Sequence, residues 1–238
     1  MRALNVVSTP NWHGNFYIQN IGKPKNILVV STADATILEH IEAGLGSLEK
    51  ANIWVADLCP TPLEICRRYA KLRKHIIHTA QINALSLAED GLSENFFDRV
   101  ITDAFVSRFP THDEKDRLLT EWHKILAPGG LILTTCRVTG MKKEVGTEEE
   151  VRTFVDKTVA VFNDYKKKNP QILSYINDQL VQEKAYEYAS HITSYPPMED
   201  ELKDLFVKNG FELLSFQKNN VPGEFKHTVY AQIVAKKV

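Results

Sequence analysis

The sequence predicts an α/β domain: a doubly wound, mostly parallel seven-stranded sheet with helices on both faces and a helical insertion after the fifth strand. Three observations carry this. Apolar runs of strand length alternate with stretches of helical periodicity from residue 26 to residue 136. Runs such as Ile27-Leu28-Val29-Val30 lack polar alternation, which is the pattern of a parallel strand covered on both faces. The rhythm breaks over residues 140–195 and resumes with one helix and two strands.

Taken in order, residues 1–25 read as an irregular lead-in holding Pro10, Trp12, Gly14, Gly22 and Pro24, with Phe16 and Tyr17 available for packing or for lining a pocket. Asn26–Val30 is the first strand. A turn of small residues from Ser31 leads into a helix from about Asp34 to Leu45, on which Ile37, Leu38, Ile41 and Leu45 recur at helical spacing. No glycine stands between Gly22 and Gly44. Ile53 to Ala56 is the second strand, ending at Asp57. Thr61 and Pro62 suit a helix start, and Leu63, Cys66, Tyr69 and Ala70 form its apolar side. His75 to Thr79 reads as a weaker third strand, followed by a loop through Asn83, Asp90 and Gly91 with a short helix near Leu85 to Glu89. Phe97 to Asp103 is the fourth strand. Thr111 and Glu114 have the spacing of a capping box, and the helix they open carries Leu118, Leu119, Trp122, Ile125 and Leu126. Pro128-Gly129-Gly130 stops it, and Leu131 to Cys136 is the fifth strand.

In the insertion, Thr147 and Glu150 form a second capping-box pattern ahead of Val151, Phe154, Val155, Val159 and Phe162. Asn169-Pro170 interrupts, and Gln171 to about Lys184 reads as a further helix. This tyrosine-rich segment lies after the fifth strand and is expected to cover the ligand end of the sheet as a lid; a packed ornament or an oligomer interface is the alternative. Met198 to Lys208 is the last helix, and Phe211 to Phe216 and Thr228 to Ala235 are the last strands. There is no internal repeat, so residues 1–238 read as one domain with residues 140–195 inserted in it.

Composition adds bounds. Apolar residues make up 43% and charged residues 25%, with a formal net charge of −1, which gives no electrostatic reason to expect a nucleic acid or an anionic membrane as partner. Arg67, Arg68, Lys71, Arg73 and Lys74 cluster, as do Lys166 to Lys168, and both runs read as solvated helix faces or ends. The three cysteines, Cys59, Cys66 and Cys136, have no paired spacing, so neither a disulfide framework nor a metal site is expected. No leader and no run of membrane-spanning length is evident, and a soluble cytoplasmic protein is the expectation.

In a doubly wound sheet, ligands sit beyond the carboxyl ends of the strands, near the point where strand order reverses. The residues there are Ser31, Thr32, Ala33, Asp34, Ala35, Asp57, Asn83, Asp103, Ala104, Phe105 and Arg137. Of these, Asp57 has a plain structural reading as a cap of the helix ahead of Pro62.

Four features occur in one order: the strand and small-residue turn of Ile27 to Ala35, Asp57 ending the second strand, Phe97-Asp98-Arg99-Val100, and Leu126-Ala127-Pro128-Gly129-Gly130-Leu131. Together with Gly210-Phe211-Glu212 ahead of two strands, they resemble the class I S-adenosylmethionine-dependent methyltransferases. The resemblance covers roughly residues 26–137 and 198–236. It implies S-adenosylmethionine as cofactor, with Ser31, Ala33 and Ala35 at positions where the family places glycines and Asp34 the residue there most tolerant of a left-handed backbone. It further implies that Asp57 holds the ribose, that Leu58 and Ala84 flank the adenine, that the Asn83 amide oxygen accepts from the adenine amino group, and that Asp103, Ala104 and Phe105 contact cofactor and acceptor.

Two departures matter. The glycines are absent, and no Asn-Pro-Pro-aromatic signature follows the fourth strand, where Asp103-Ala104-Phe105-Val106 stands. The second argues against the enzymes that use that signature to methylate amino groups of nucleic acids and proteins, and leaves open a small-molecule acceptor, the expectation that the sheet order, Asp57 and the helical lid support, with methyl transfer by in-line displacement resting mainly on positioning plus one base. His191 is the candidate base, and Arg137, with Arg108 behind it, the candidate clamp for an acidic group of the acceptor. A homodimer is compatible with the sequence. The alternative is a methyltransferase-like protein that binds S-adenosylmethionine, its product or a protein partner without methylating. A nicotinamide-dependent dehydrogenase is disfavoured, because the Gly-x-Gly-x-x-Gly pattern is missing.

Overall fold

The computed structural model describes residues 10–138, 146–168, 177–191, 194–220 and 229–238. Its centre is a seven-stranded sheet. The strands are β1 (Asn26–Val30), β2 (Asn52–Asp57), β3 (His78–Gln81), β4 (Phe97–Asp103), β5 (Leu126–Arg137), β6 (Phe211–Asn220) and β7 (Val229–Lys237), in the order β3-β2-β1-β4-β5-β7-β6. β1 to β5 are mutually parallel, and β7 runs antiparallel to both β5 and β6. The doubly wound, mostly parallel sheet read from the sequence is therefore present. The order reverses between β1 and β4, which places the switch point over Ser31 and Ala104.

Period-two alternation divides the core into two layers. Ile27 and Val29 of β1, Ile53 and Val55 of β2, Ile101 of β4 and Leu133 of β5 face one side. There they meet α1 (Pro10–Asn20), α2 (Thr36–Leu45) and α3 (Pro60–Leu72). Leu28, Val30, Val100, Ile132 and Ile233 face the other side and meet α4 (His112–Ile125) and α7 (Glu199–Lys208). α4 opens on the predicted capping box: the Glu114 amide donates to Thr111 Oγ1 at 3.2 Å, and the Thr111 amide donates to Glu114 Oε2 at 3.1 Å.

Four expectations are corrected. Where an irregular lead-in was expected, α1 spans Pro10–Asn20. Its sequence has weak amphipathic patterning, and burial of Phe16, Tyr17 and Ile21 against α2 and the sheet holds it in place. β3 begins at His78 rather than His75, because Lys74 and His75 belong to the end of α3. Residues 85–89 form turns rather than a helix, with the Asn83 side chain accepting the Leu85 amide at 3.0 Å. β5 begins at Leu126, so the Pro128-Gly129-Gly130 turn is a bulge inside the strand. Gly129 sits at φ +74°, and a Cβ on Gly130 would lie 2.8 Å from the Ala127 carbonyl oxygen.

The insertion forms a helical pair, α5 (Glu148–Lys168) and α6 (Asp178–His191). Its own small core joins Val151, Phe154 and Val155 to Ala185 and Ala189. α6 overlaps the expected span over residues 178–184 and runs on to His191: the Asn177 side chain caps it by accepting the Leu180 amide at 2.8 Å, and residues 171–176 lie outside the described residues. No helix among the described residues is long and apolar enough to cross a membrane.

Candidate active site

The site begins where β1 ends. Ser31 is held at φ 54°, the left-handed region, while its amide donates to the Ala56 carbonyl at 2.9 Å. The strain therefore falls on Ser31 and not on Asp34. A left-handed non-glycine residue costs roughly 1–2 kcal/mol, so the surrounding contacts must fix this turn. They do so through Asp57. Its Oδ2 accepts the Thr32 amide at 3.1 Å and its Oδ1 accepts the Cys59 amide at 2.8 Å. The Thr32 hydroxyl donates to the Asp34 carbonyl at 2.6 Å. Asp34 itself turns its carboxylate to the Thr36 amide at 2.8 Å, opening α2. Beneath the turn lies Cys66, whose thiol is pushed up to about 12 by burial, with the charges of Asp34 and Asp57 adding to it.

A cleft of about 220 Å³ opens beside this turn, at the carboxyl ends of β1, β2 and β4. Val30, Ala56, Ile82, Leu87, Phe105 and Phe109 give it apolar walls, and Ser31, Asp57, Asn83 and Arg108 supply its polar groups. Leu58, 68% exposed, and Ala84 complete the lining. The volume is below the roughly 300–1,000 Å³ of a site enclosing a whole drug-sized ligand, so the cleft suits one flat fragment of a larger molecule. Each Asp57 oxygen has spent one lone pair on a backbone amide, and a carboxylate oxygen accepts two hydrogen bonds. The carboxylate can thus still accept a pair of adjacent hydroxyls. The residues present are thus compatible with the adenosine end of a larger ligand: an apolar slot the size of a flat base, a fixed carboxylate beside it, and an amide at Asn83 beyond. The Asn83 oxygen already accepts from Leu85 and retains one lone pair.

Across the end of β4 lies a second cluster. The side chains of Asp103 and His13 are both buried, and Asp103 Oδ1 lies 2.8 Å from His13 Nδ1. Thr135 Oγ1 donates to the same oxygen at 2.5 Å, and the Tyr17 hydroxyl lies 3.3 Å from it while donating to the Thr102 carbonyl at 2.8 Å. His13 meets the Tyr230 ring edge-on, with centroids 5.3 Å apart. Arg137, only 2% exposed, donates from Nε to the Tyr230 hydroxyl at 3.1 Å and sets its guanidinium over that ring. Ala104, at φ 53°, separates Asp103, which faces this cluster, from Phe105, which faces the cleft.

Of the residues expected to hold a cofactor, Ser31, Asp57, Leu58, Asn83, Ala84 and Phe105 come together in the cleft. Thr32 supports Asp57 from behind, Ala33 is exposed, Asp34 accepts the Thr36 amide ahead of α2, and neither Asp103 nor Ala104 lines the cleft wall. The His191 side chain lies outside the described residues. Arg137 is packed into the polar cluster rather than open to the cleft. Arg108 is exposed at the cleft. His13 escaped the sequence reading. Its signal would have been a helical register that pairs it with the Tyr17 one turn later, and α1 is too weakly patterned to reveal that register. The segment after α6 is tied to this end of the sheet, since the Tyr195 amide donates to the Ser107 carbonyl at 2.7 Å, beside Arg108.

Residues 36–134 match a family model described as a methyltransferase domain. A search of curated proteins returned no match. Solved structures share the fold. A methyltransferase from Methanosarcina mazei, described as S-adenosylmethionine-dependent, aligns over 92% of this chain and 95% of its own at 16% identity and a TM-score of 0.59. A 1,6-didemethyltoxoflavin-N1-methyltransferase from Burkholderia thailandensis, solved with its substrate and S-adenosylhomocysteine, aligns over 96% and 78% at 13% identity and a TM-score of 0.61. The [4+2]-cyclase SpnF aligns over 96% and 80% at 13% identity and a TM-score of 0.62. At such identities the likeness is one of fold, and the fold hosts more than one reaction.

Proposed function

We propose that this chain, whose residues 36–134 match a methyltransferase domain and whose sheet is that of the class I S-adenosylmethionine-dependent enzymes, transfers a methyl group to a small-molecule acceptor. The observation that supports this most is the cleft: Asp57, Asn83 and Phe105 converge beside the left-handed Ser31 turn at the switch point. S-adenosylmethionine, when bound, supplies a methyl group activated on a sulfonium. Asp57 would hold the ribose hydroxyls, and Ile82, Ala84, Leu87 and Phe105 would exclude water from the adenine. Because positioning supplies much of the rate of an in-line displacement, a carboxylate fixed by two backbone amides is worth more than a mobile one.

His13 is assigned as the base for an acceptor that carries a proton. With Nδ1 turned to Asp103, Nε2 is the nitrogen that takes the proton, and the buried carboxylate stabilises the imidazolium that results. Arg137 and Tyr230 would orient the acceptor through the Tyr230 hydroxyl and ring face. The α5–α6 pair, tethered through Tyr195 to Ser107, would close over this end of the sheet.

A second reading rests on the glycine-free turn: a protein that binds the cofactor without methylating. Calorimetric titration with S-adenosylmethionine and S-adenosylhomocysteine tests the cofactor site, and transfer from labelled cofactor to a panel of phenols, amines and thiols separates the two readings. One binding site per chain, lost in Asp57→Ala, is expected. Absence of binding at millimolar ligand would sink both readings.

A further inference from the structure

One surface lies outside everything above: the C-terminal tip of α3. The helix ends in a complete Schellman motif. The His75 amide donates to the Ala70 carbonyl at 2.9 Å and the Lys74 amide to the Lys71 carbonyl at 3.0 Å. Lys74 takes the left-handed position at φ 57°, where glycine is the favoured residue. The tip carries Arg67, Arg68, Lys71, Arg73 and Lys74. Two carboxylates answer them: Glu64 pairs with Arg67 and Arg68, and Glu42 with Arg73. Among the described residues, neither Lys71 nor Lys74 has an ion pair. Between and beside these cations stand Leu72 and Ile76, 83% and 85% exposed, the most exposed large aliphatic side chains in the described protein.

We propose that this tip docks on an anionic lipid surface. Cations interleaved with aliphatic side chains are what such a surface attracts, each adding to the other. The tip projects rather than forming a groove, and two side chains fall far short of the roughly 800 Å² per partner that a stable protein interface buries. A soft bilayer takes isolated aliphatic side chains without a matching cavity. A second copy of the chain would set like charges against each other. The net charge of −1 means the remainder of the chain carries the compensating negative charge, so the protein would approach tip first. α3 runs from the carboxyl end of β2 to the amino end of β3, so the tip lies at the end of the sheet opposite the cleft. Docking would leave the cleft facing water. This surface does not depend on the proposed methyl transfer.

The test is co-sedimentation of the full chain with phosphatidylcholine vesicles and with phosphatidylcholine vesicles containing phosphatidylserine. Binding to the anionic vesicles at low salt is expected, with little to the neutral ones and loss near molar salt. Lys71→Glu with Lys74→Glu should weaken binding at least ten-fold, and so should Leu72→Ser with Ile76→Ser. Thermal transitions and S-adenosylhomocysteine binding should be unchanged in both variants. Equal partition of wild type to neutral and anionic vesicles overturns the proposal. So does anionic binding that survives the Leu72/Ile76 pair of changes, or equally strong binding to soluble polyaspartate, which would mark a surface for acidic polymers instead.

Discussion

The His13 Nδ1 and Asp103 Oδ1 atoms lie 2.8 Å apart, joining a helix before the sheet to the end of its fourth strand, ninety positions away in sequence. The pair has the arrangement of a base held by a carboxylate, and it sits beside the Arg137–Tyr230 contact, over the strands next to the cleft. It is the base proposed above, and it does not come from the helical insertion.

His13→Ala should leave S-adenosylhomocysteine affinity within a few-fold of wild type. Transfer to a proton-bearing acceptor should fall by on the order of 100- to 10,000-fold. Labelled-methyl transfer with a responsive acceptor measures this, and unchanged turnover would remove His13 from the mechanism.

Asp103→Ala tests the same network through stability. It strips His13 and the Thr135 hydroxyl of a buried acceptor, and the change should cost about 3 kcal/mol. Thr135→Val removes the hydroxyl that donates to Asp103 and accepts from the Ala104 amide, and since that amide keeps the Thr135 carbonyl as acceptor, the change should cost nearer 1 kcal/mol. Urea unfolding at neutral pH provides both values; equal costs would mean the network is not shared as described.

Asp57→Ala should weaken S-adenosylhomocysteine binding at least thirty-fold, the equivalent of about 2 kcal/mol for lost charge-assisted hydrogen bonds. It should also destabilise the chain by about 1–2 kcal/mol, since the Thr32 and Cys59 amides lose their acceptor. Calorimetric titration of a variant confirmed folded by circular dichroism separates the two effects.

Ser31→Gly should stabilise the protein by about 0.5–1 kcal/mol, because removal of the left-handed strain exceeds the added unfolded-state entropy. Ser31→Val should destabilise it by 2 kcal/mol or more on the same ground, on the order of the strain of a β-branched residue there. Denaturation midpoints decide, and a destabilised glycine variant would show the serine hydroxyl to matter more than the backbone.

Of the three cysteines, Cys59 alone should react quickly with a disulfide reagent near pH 8. Cys66 and Cys136 are buried, and burial pushes both thiols up to about 12, leaving little thiolate. Cys59 is exposed and donates its amide to Asp57, so saturating S-adenosylhomocysteine should slow its modification. Reaction of two or three thiols at the fast rate would contradict the packing around α3 and β5.

The sequence by itself determined the sheet, its parallel character and the place of its ligand end. Alternation of apolar runs with helical stretches is a local pattern, and burial on both faces writes it into residues such as Ile27 to Val30 and Val100 to Ile101. The cleft was half legible for the same reason: Asp57 ends one strand and Asn83 and Phe105 stand two residues beyond two others, so knowing the strands locates them. What only the tertiary structure decided is which residues meet across the strands. The left-handed strain went to Ser31 rather than Asp34 because the Ala56 and Asp57 contacts come from a neighbouring strand. Asp103 turned from cleft to network because α1, a helix with almost no pattern of its own, brought His13 and Tyr17 over it. A helix held by burial rather than by propensity leaves little trace in sequence, and the proposed base stands on that helix.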